Sequence, residues 1–205
     1  ITFSENANWR SAISSITVDG TTLSASAYNK NNAGKITFTP SLSSPAALLQ
    51  QSGTKSIVII ATGYANTSVS QSISAGAASK LSLQTQPVAQ AGYVATLFST
   101  QPVVLIQDQY GNTSQSTANI TANIGVGSWT LGGTNTKAGV GGIVTFTNLT
   151  SACLSAITGA TIVFSSSGLV SVTTNSFNIP YAVPRELYYN SSSGGNWRTL
   201  ANWKV

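Results

Sequence analysis

Short runs of β-branched and apolar residues, separated by turn-forming residues, recur along the whole chain. The runs in the first part are Ile13–Val18, Lys35–Thr39 and Ser56–Ala61. Those in the second part are Lys80–Thr85, Pro102–Gln109, Asn119–Ile124, Gly142–Leu149, Thr161–Ser165 and Leu169–Ile179. Strands of this length at such spacing are typical of β-sandwiches. The sequence therefore predicts an all-β fold.

Two segments break this pattern and carry helix signals. Asn6–Ser14 is predicted to form a helical turn or two that carry Trp9 inward. Ser44–Gln51 has a serine suited to the N-cap, Pro45 at the first helical position and good helix formers after it. We therefore expect a short helix or two in the first part of the chain.

Two changes in composition divide the chain of 205 residues. Ala75–Ser79 is small and turn-prone, and the two prolines of Pro180–Pro184 favour an extended linker. We predict a small β-sandwich module over 1–78, a second β-sandwich over 79–182, and a linker with the start of a further module over 183–205. The chain is then expected to be a mature or internal piece of a longer protein.

The two predicted modules end in similar hairpins. Ile57–Ile73 and Ile162–Phe177 both read as a strand, a glycine turn and a second strand. Gly63 and Gly168 are expected to adopt positive φ in these turns. This partial repeat favours tandem modules of related architecture.

The chain carries few groups that can do chemistry. Nine residues are Lys or Arg and four are Asp or Glu, with no His and no Met, whereas 31 are Ser and 26 are Thr. A His-based catalytic triad, a His-ligated metal and a His/Met-ligated haem are excluded. The four carboxylates are also far apart in sequence. We therefore expect no enzyme activity, no metal and no cofactor.

Charge distribution, hydropathy and the single cysteine exclude further classes of protein. The nine cations are scattered singly, which argues against nucleic-acid binding. The longest apolar run, Ile57–Ala61, is far shorter than the ~18 residues of a membrane span, so none is expected. Cys153 has no partner for an internal disulfide and is expected to be a small buried residue rather than a reactive thiol.

Three stretches stand out in residues 80–179, namely Lys80–Pro87, Gln101–Asn112 and Gly142–Leu149. Together they resemble the bacterial immunoglobulin-like repeats of large secreted and surface proteins. The resemblance implies that the predicted β-sandwiches are two tandem Ig-like domains. Val144, Phe146 and Leu149 are expected to supply core side chains.

Residues 1–74 carry a second set, namely Ile1–Phe3, Trp9-Arg10, Ile16–Gly20, Tyr28, Lys35–Phe38 and Ala61–Tyr64. These residues resemble a small β-domain known from the haemoglobin-interacting regions of haem-uptake surface proteins. The resemblance implies a module that binds a protein partner. The same module also occurs widely in secreted bacterial proteins with no link to haem.

The end of the chain carries a third resemblance. Tyr188–Trp197, followed by Trp203, is similar to the start of modules in secreted multi-domain proteins of the Bacteroidota. In that group such proteins are often exported by the type IX system and can be giant adhesins. The resemblance implies an extracellular, cell-surface location.

Aromatic side chains are the candidate binding residues: Trp9, Tyr28, Tyr64, Trp197 and Trp203. The tryptophans, Trp129 included, could stack on sugars, although a single tryptophan in a sandwich is more often a core residue. Tyr28 and Tyr64 could contact a protein partner or ligate haem iron as phenolates. For Tyr64, packing over its hairpin turn is the alternative. Trp197 and Trp203 either anchor a following module or form an exposed aromatic site.

Two polar groupings have alternative interpretations. Asp108 and Asn112 could contribute to a Ca²⁺ site, but a single carboxylate beside a hairpin favours a turn. An isopeptide cross-link would need a lysine, an asparagine and a buried acid together, and nothing specific in the sequence points to one. The residues considered for it are Lys55, Lys80, Glu5 and Asp19.

These observations predict a non-catalytic structural or adhesive segment of a large extracellular bacterial surface protein or filament. Its modules would act as rigid spacers, with neighbouring modules of the same chain as partners. A charge-poor surface also favours self-association into filaments, because little repulsion opposes it. Two alternatives stay open: a binding module for surface glycans or a haem-carrying host protein, and an accessory region of an extracellular hydrolase whose active site lies elsewhere.

Overall fold

The computed structural model describes residues 1–41, 46–91 and 94–181, together with the backbone of 188–189 and 203–204. These residues form two units, and the chain passes between them more than once. The first unit comprises Ile1–Lys80, Leu105–Thr117 and Val140–Ile143. The second comprises Leu81–Val104, Ala118–Gly139 and Val144–Val205.

The described part of residues 1–74 contains one short α-helix, two 3₁₀ turns and six strands. The helix is α1 (Ala7–Ser11), and the 3₁₀ turns are Ala25–Ala27 and Ala46–Gln50. The strands are β1 (Ile13–Val18), β2 (Thr21–Thr22), β3 (Tyr28–Asn29), β4 (Thr37–Phe38), β5 (Gly53–Ala61) and β6 (Thr67–Ile73). The two expected helical segments are thus both helical, although Ser44 and Pro45 lie outside the described residues.

The strands of the first unit pair antiparallel in the order β2-β1-β5-β6, and β3 pairs with β4. The β1–β2 connection is a two-residue turn in which Asp19 and Gly20 both have positive φ, at 48° and 80°. This is the geometry that an Asp-Gly pair supports in a tight hairpin. Gly63, in the β5–β6 turn, has φ 83° as predicted.

The core of the first unit is aliphatic. Alternate residues of β1 and β5 face inward, because successive strand residues point to opposite faces of a sheet. Ile16 and Val18 are fully buried, and Ile57 and Ile59 are 2% exposed. Ile36, from the stretch before β4, closes the core and is fully buried as well.

The remaining strands follow from residue 80 onwards. They are β7 (Lys80–Thr85), β8 (Thr96–Leu97), β9 (Val103–Gln107), β10 (Asn119–Val126), β11 (Thr130–Gly132), β12 (Thr136–Ala138), β13 (Ile143–Thr145), β14 (Thr150–Ala152), β15 (Ile157–Ser165), β16 (Val172–Thr173), β17 (Phe177–Ile179), β18 (Tyr188–Tyr189) and β19 (Trp203–Lys204). They form sheets in the orders β12-β10-β15-β16, β11-β14-β8, β13-β9-β7 and β18-β19, with β17 pairing to β15.

The second unit has an aromatic core. Phe98, Trp129 and Phe177 meet edge to face, with centroids 5.8 to 6.4 Å apart. A second pair, Phe146 and Phe164, lies 5.3 Å apart and is almost completely buried. Edge-to-face rings add to the stabilisation that burial alone provides.

The all-β sandwich class is confirmed, including the short helices in the first part. The predicted core residues Val144, Phe146 and Leu149 are all at most 1% exposed. The predicted strand Leu169–Ile179 is instead two short strands, β16 and β17, which pair with β15 at different positions. The boundaries at 78/79 and 182/183 stay predictions. The described part of the chain contains no helix with the length and hydrophobicity of a membrane span.

Candidate binding site

The helix α1 holds Trp9 at the edge of the first unit. Asn6 caps the helix, because its side-chain Oδ1 accepts a hydrogen bond from the Trp9 N–H at 2.9 Å. The Trp9 ring packs edge-on against Phe3, with the centroids 5.0 Å apart. It is half-buried against the aliphatic core. The helix therefore carries Trp9 inward as predicted.

Arg10 ties α1 to the loop between β3 and β4. Its Nε donates to Glu5 Oε1 at 3.1 Å. Its Nη1 donates to the backbone oxygens of Lys30 and Asn31 at 3.1 and 3.2 Å. The guanidinium is thus fixed by one carboxylate and two carbonyl groups, and charge-assisted bonds of this kind are stronger than neutral ones.

Lys30 and Glu5 add further bonds between the loop and the segment that contains α1. Lys30 Nζ donates to the backbone oxygens of Ser11, at 3.4 Å, and Ile13. Glu5 Oε2 accepts from the Gly34 N–H. The Gly34 bond, with help from Arg10, lowers the pKa of Glu5 below its usual value. We call the residues Ala7–Ser11 and Asn29–Gly34 the helix–loop surface.

Tyr28 lines a cleft beside the helix–loop surface. The cleft has a volume of about 530 Å³, and its wall combines backbone with small polar and amide side chains. The lining residues include Ser14, Ser26, Asn29, Lys30 and Asn31. Tyr28 itself is half-buried on β3, opposite Phe38. Such a wall offers hydrogen-bond donors and acceptors to a polar or protein partner rather than an apolar cavity.

The other predicted binding residues are not brought to this cleft. Tyr64 sits in the β5–β6 turn, 43% exposed, with its N–H bonded to the Ala61 oxygen at 3.1 Å. Among the described residues it makes no ring contact with Trp9 or Tyr28. Trp197 lies outside the described residues. Of Trp203 only the backbone is described, paired in β19 with Tyr189.

The two tyrosines predicted as possible iron ligands do not fit a haem. The sequence has no His or Met to act as an axial ligand, which leaves tyrosine or cysteine. Tyr28 faces a polar cleft, Tyr64 is on an exposed turn, and Cys153 is 5% exposed within the second unit. A haem ring needs a large apolar pocket around such a ligand.

Asp108 and Asn112 form a turn rather than a Ca²⁺ site. The Asp108 carboxylate is 2% exposed and accepts bonds from the N–H groups of Gly76, Tyr110 and Asn112. The Asn112 side-chain amide donates to it as well, at 2.8 Å. Burial raises the pKa of Asp108, but the four donors outweigh this effect and lower it to about 2. The predicted turn-former role is confirmed.

The lysines and acids considered for a cross-link make ordinary ionic or polar contacts. Lys55, which is 7% exposed, lies with Nζ 3.3 Å from Asp19 Oδ2. Asp19 Oδ1 also accepts from the Ser56 N–H, and this bond together with Lys55 lowers the pKa of Asp19. Lys80 Nζ instead donates to the Gln109 oxygen at 3.2 Å. Both distances are those of non-covalent contacts and are too long for a covalent isopeptide bond.

Trp129 is a core residue, as the single-tryptophan argument favours. It is 8% exposed and donates through Nε1 to the Val126 oxygen at 3.0 Å. Its ring packs against Phe98 and Phe177, and its small exposed fraction leaves little surface on which a sugar could stack. No group of three or more potential metal-ligating side chains occurs within the described ranges.

The sequence did not identify Arg10, Lys30 and Glu5 as the residues that build the helix–loop surface. Their bonds join positions up to 29 residues apart, through a loop without a recognisable motif. One signal was available: in a chain with only 13 charged residues, four fall within or beside the first helix and its neighbouring loop, namely Glu5, Arg10, Lys30 and Lys35.

Comparison with solved structures gives distant likenesses. They include a β-glycosidase from Bacteroides vulgatus (13% identity, TM-score 0.39, covering 81% of this chain and 21% of that one). A glycosyl hydrolase family 2 member from Bacteroides cellulosilyticus DSM 14838 is 15% identical, with a TM-score of 0.40 and coverage of 79% and 22%. The chain thus spans about a fifth of the length of these enzymes. Likenesses of this size assign neither fold nor activity.

Sequence comparison gives one match, which covers residues 1–74. No curated protein sequence matches the chain. Residues 1–74 match the family model described as the Hb-interacting domain of Shr-like heme-binding proteins. The matched residues are those that form the β2-β1-β5-β6 sheet and the helix–loop surface.

Proposed function

We propose that this chain is a non-catalytic segment of an extracellular bacterial surface protein, and that its first module binds a protein partner through the helix–loop surface. The family match over residues 1–74 carries this proposal, because it covers the whole module that bears the surface. The name of the family points to haemoglobin as the first partner to test.

The chemistry of the helix–loop surface supports a protein partner. The loop is held to α1 by the bonds of Arg10, Lys30 and Glu5, so a partner would meet it in a fixed conformation. Preorganisation of this kind lowers the entropy lost on binding. Asn29 and Asn31 are exposed and offer amide groups for hydrogen bonds. A carbohydrate partner is less well supported, because Trp9 and Trp129 are packed into the units.

The carboxylates support a non-catalytic role. Glu5, Asp19 and Asp108 each accept structural hydrogen bonds, and the pKa of each is lowered. A general acid at neutral pH needs a raised pKa instead. Glu186 lies outside the described residues. We infer that the second unit serves as an Ig-like spacer, and that the chain belongs to a secreted, multi-domain adhesin; type IX export remains part of this proposal.

Calorimetric titration of the chain with haemoglobin tests the proposal. Binding should weaken by at least about tenfold on Asn31→Glu, which places a charge on the helix–loop surface without removing a bond of its side chain. Asn66→Glu is the matched control, since Asn66 is also exposed but lies in the β5–β6 turn. If the wild-type chain did not bind haemoglobin, haemoglobin would be refuted as the partner. Loss on Asn66→Glu alone would place the site at the Tyr64 turn and refute the surface.

A further inference from the structure

Strand β6 is an unusually open edge of the first unit. It is the last strand of the β2-β1-β5-β6 sheet, and among the described residues it pairs with β5 alone. It is seven residues long, Thr-Ser-Val-Ser-Gln-Ser-Ile, with no charge, no proline and no bulge. Natural edge strands are usually protected by a charged residue, a proline, a bulge or a short length.

The other edges in the described part of the chain are protected. The opposite edge of the same sheet, β2, has two residues, and β8 and β16 have two each. The strands β11 and β13 have three. Lysine occurs in β12, as Lys137, and at the start of β7, as Lys80. The lack of protection is therefore specific to β6.

The hydrogen bonds of Ser56 show which backbone groups of β6 face outward. Its oxygen accepts from the Asp19 N–H and its N–H donates to Asp19 Oδ1, so both groups of Ser56 point away from β6. Ser56 is the register partner of Ser70. In an antiparallel pair, such partners turn their backbone groups away from each other together. The N–H and C=O of Ser70 therefore face the free edge.

The same alternation extends to the neighbours of Ser70. Because every second residue of a strand points its backbone groups to the same side, Ser68 and Ser72 also face the free edge. All three are serines with exposed side chains. The Ser72 oxygen accepts only from the side-chain amide of its exposed neighbour Gln71, at 3.1 Å, and a backbone N–H of a pairing strand can take the place of this donor.

We propose that β6 is a self-pairing edge, at which two copies of this chain join their sheets through an antiparallel, two-fold contact centred on Ser70. In this register Ser70 lies opposite its own counterpart, and Ser68 lies opposite Ser72 of the other copy. The contact would form about six backbone hydrogen bonds. Small hydroxyl side chains would face each other, a pairing that is favourable across strands.

A second copy fits this edge better than a charged or bulky partner. An uncharged strand meets no like-charge repulsion when it pairs with itself, whatever the ionic strength. The two sheets would become one eight-stranded sheet with β2 at both ends. One such contact is weak, but modules repeated along a surface or a filament would reinforce it. The proposal does not depend on the helix–loop surface or its partner.

Sedimentation velocity of the whole chain, without haemoglobin, from micromolar to millimolar concentration tests the proposal. Wild type should show a reversible monomer–dimer equilibrium. Ser70→Lys should weaken dimerisation about fivefold to tenfold, because two lysines then lie opposite each other. Thr22→Lys adds the same charge at the opposite edge and should behave as wild type. Wild type that is monomeric throughout, or equal weakening by Thr22→Lys, would overturn the proposal.

A charge exchange makes the test independent of folding defects. Ser70→Lys and Ser70→Glu should each dimerise more weakly than wild type when alone, whereas an equal mixture should recover dimers at least as tight as those of wild type. Recovery shows that both variants fold and that position 70 faces position 70. A mixture that associates no better than its components would refute the two-fold register.

Disulfide trapping checks the register residue by residue. Ser70→Cys should cross-link to itself. Ser68→Cys and Ser72→Cys should each cross-link slowly alone and quickly when mixed, because they lie opposite each other only between copies. The native Cys153 is buried and should not interfere. Equal cross-linking of all three variants with themselves would show a non-specific encounter and overturn the proposed contact.

Discussion

The carboxylate of Asp108 accepts a hydrogen bond from the side-chain amide of Asn112 at 2.8 Å. The same amide also donates to the Gln50 oxygen at 2.8 Å, and its Oδ1 accepts from the Ser52 N–H at 2.8 Å. A buried carboxylate thereby orients an amide that joins segments 60 residues apart in the first unit. This arrangement makes the charge of Asp108 a stabilising element with a defined pH dependence.

We expect Asp108→Asn to lower the free energy of unfolding at pH 7 by about 2 kcal/mol. The pKa of Asp108 is about 2 in the folded chain against a usual value of 3.8. Because the folded pKa is lowered, this stabilisation is present at and above about pH 4 and is lost as the pH falls towards about 2. Urea unfolding at a series of pH values measures it.

Glu5→Gln serves as the control for this pH series. Glu5 is on the surface and accepts fewer hydrogen bonds than Asp108. Its removal should therefore leave most of the change in unfolding free energy between about pH 4 and about pH 2 in place. If wild type and Asp108→Asn differed by the same amount at pH 7 and pH 2, the ionised carboxylate would not be the source of the stability.

The pair formed by Lys55 and Asp19 should respond asymmetrically to substitution. Asp19→Asn can keep the positive-φ turn and the bond from Ser56, but leaves the 7% exposed Lys55 without its counter-ion. Lys55→Met removes the buried charge and keeps the side-chain volume. Since an unpaired buried charge costs more than losing the pair, Asp19→Asn should lower the melting temperature more than Lys55→Met.

Thermal unfolding at neutral pH measures both variants and the double variant. Asp19→Asn should cost little once Lys55 is Met, because no buried charge is then left unpaired. The opposite ranking of the single variants, or strictly additive effects, would show that the ion pair contributes nothing specific.

Local patterns were enough to predict much of the fold. β1 and β7 begin and end where the alternation of residues placed them, and Gly168 has φ 76° as expected. The prediction of one continuous strand over Leu169–Ile179 was wrong because of a tertiary contact. The Thr174 N–H donates to the Ile162 oxygen at 2.9 Å, and the Thr174 Oγ1 accepts from the Ile162 N–H at 3.0 Å. These two hydrogen bonds interrupt the strand between β16 and β17, and no local sequence pattern signals them.

The candidate site was less accessible from sequence. Aromatic residues such as Trp9 and Tyr28 were identified by type, since large amphipathic rings are common in interfaces. The loop that surrounds them is fixed by backbone carbonyls of Lys30 and Asn31, which any residue could provide. The free edge at Ser70 likewise depends on which way backbone groups point, a property set by strand pairing and not by side-chain identity.

Gly133 and Gly159 should respond differently to the same substitution, although both lie in the second unit with positive φ, at 86° and 72°. A Cβ at Gly159 would meet nothing within 4 Å, so Gly159→Ala should cost only the backbone strain, about 1 kcal/mol. A Cβ at Gly133 would lie 1.9 Å from the Asn148 oxygen. Gly133→Ala must therefore shift backbone as well and should cost several-fold more, measured by urea unfolding. Equal costs would show that φ alone matters there.

Cys153 should report the opening of the second unit. Its side chain is 5% exposed, whereas that of the next residue, Leu154, is 90% exposed. A thiol reagent reaches a buried cysteine only when the structure opens locally. In native buffer we expect Cys153 to react at least about a hundredfold more slowly than a cysteine placed next to it, in the Cys153→Ser/Leu154→Cys variant. In denaturant the two rates should converge, because both thiols are then exposed. A native Cys153 that reacted as fast as the neighbouring thiol would show that the strand pairing of β14 does not protect this part of the core.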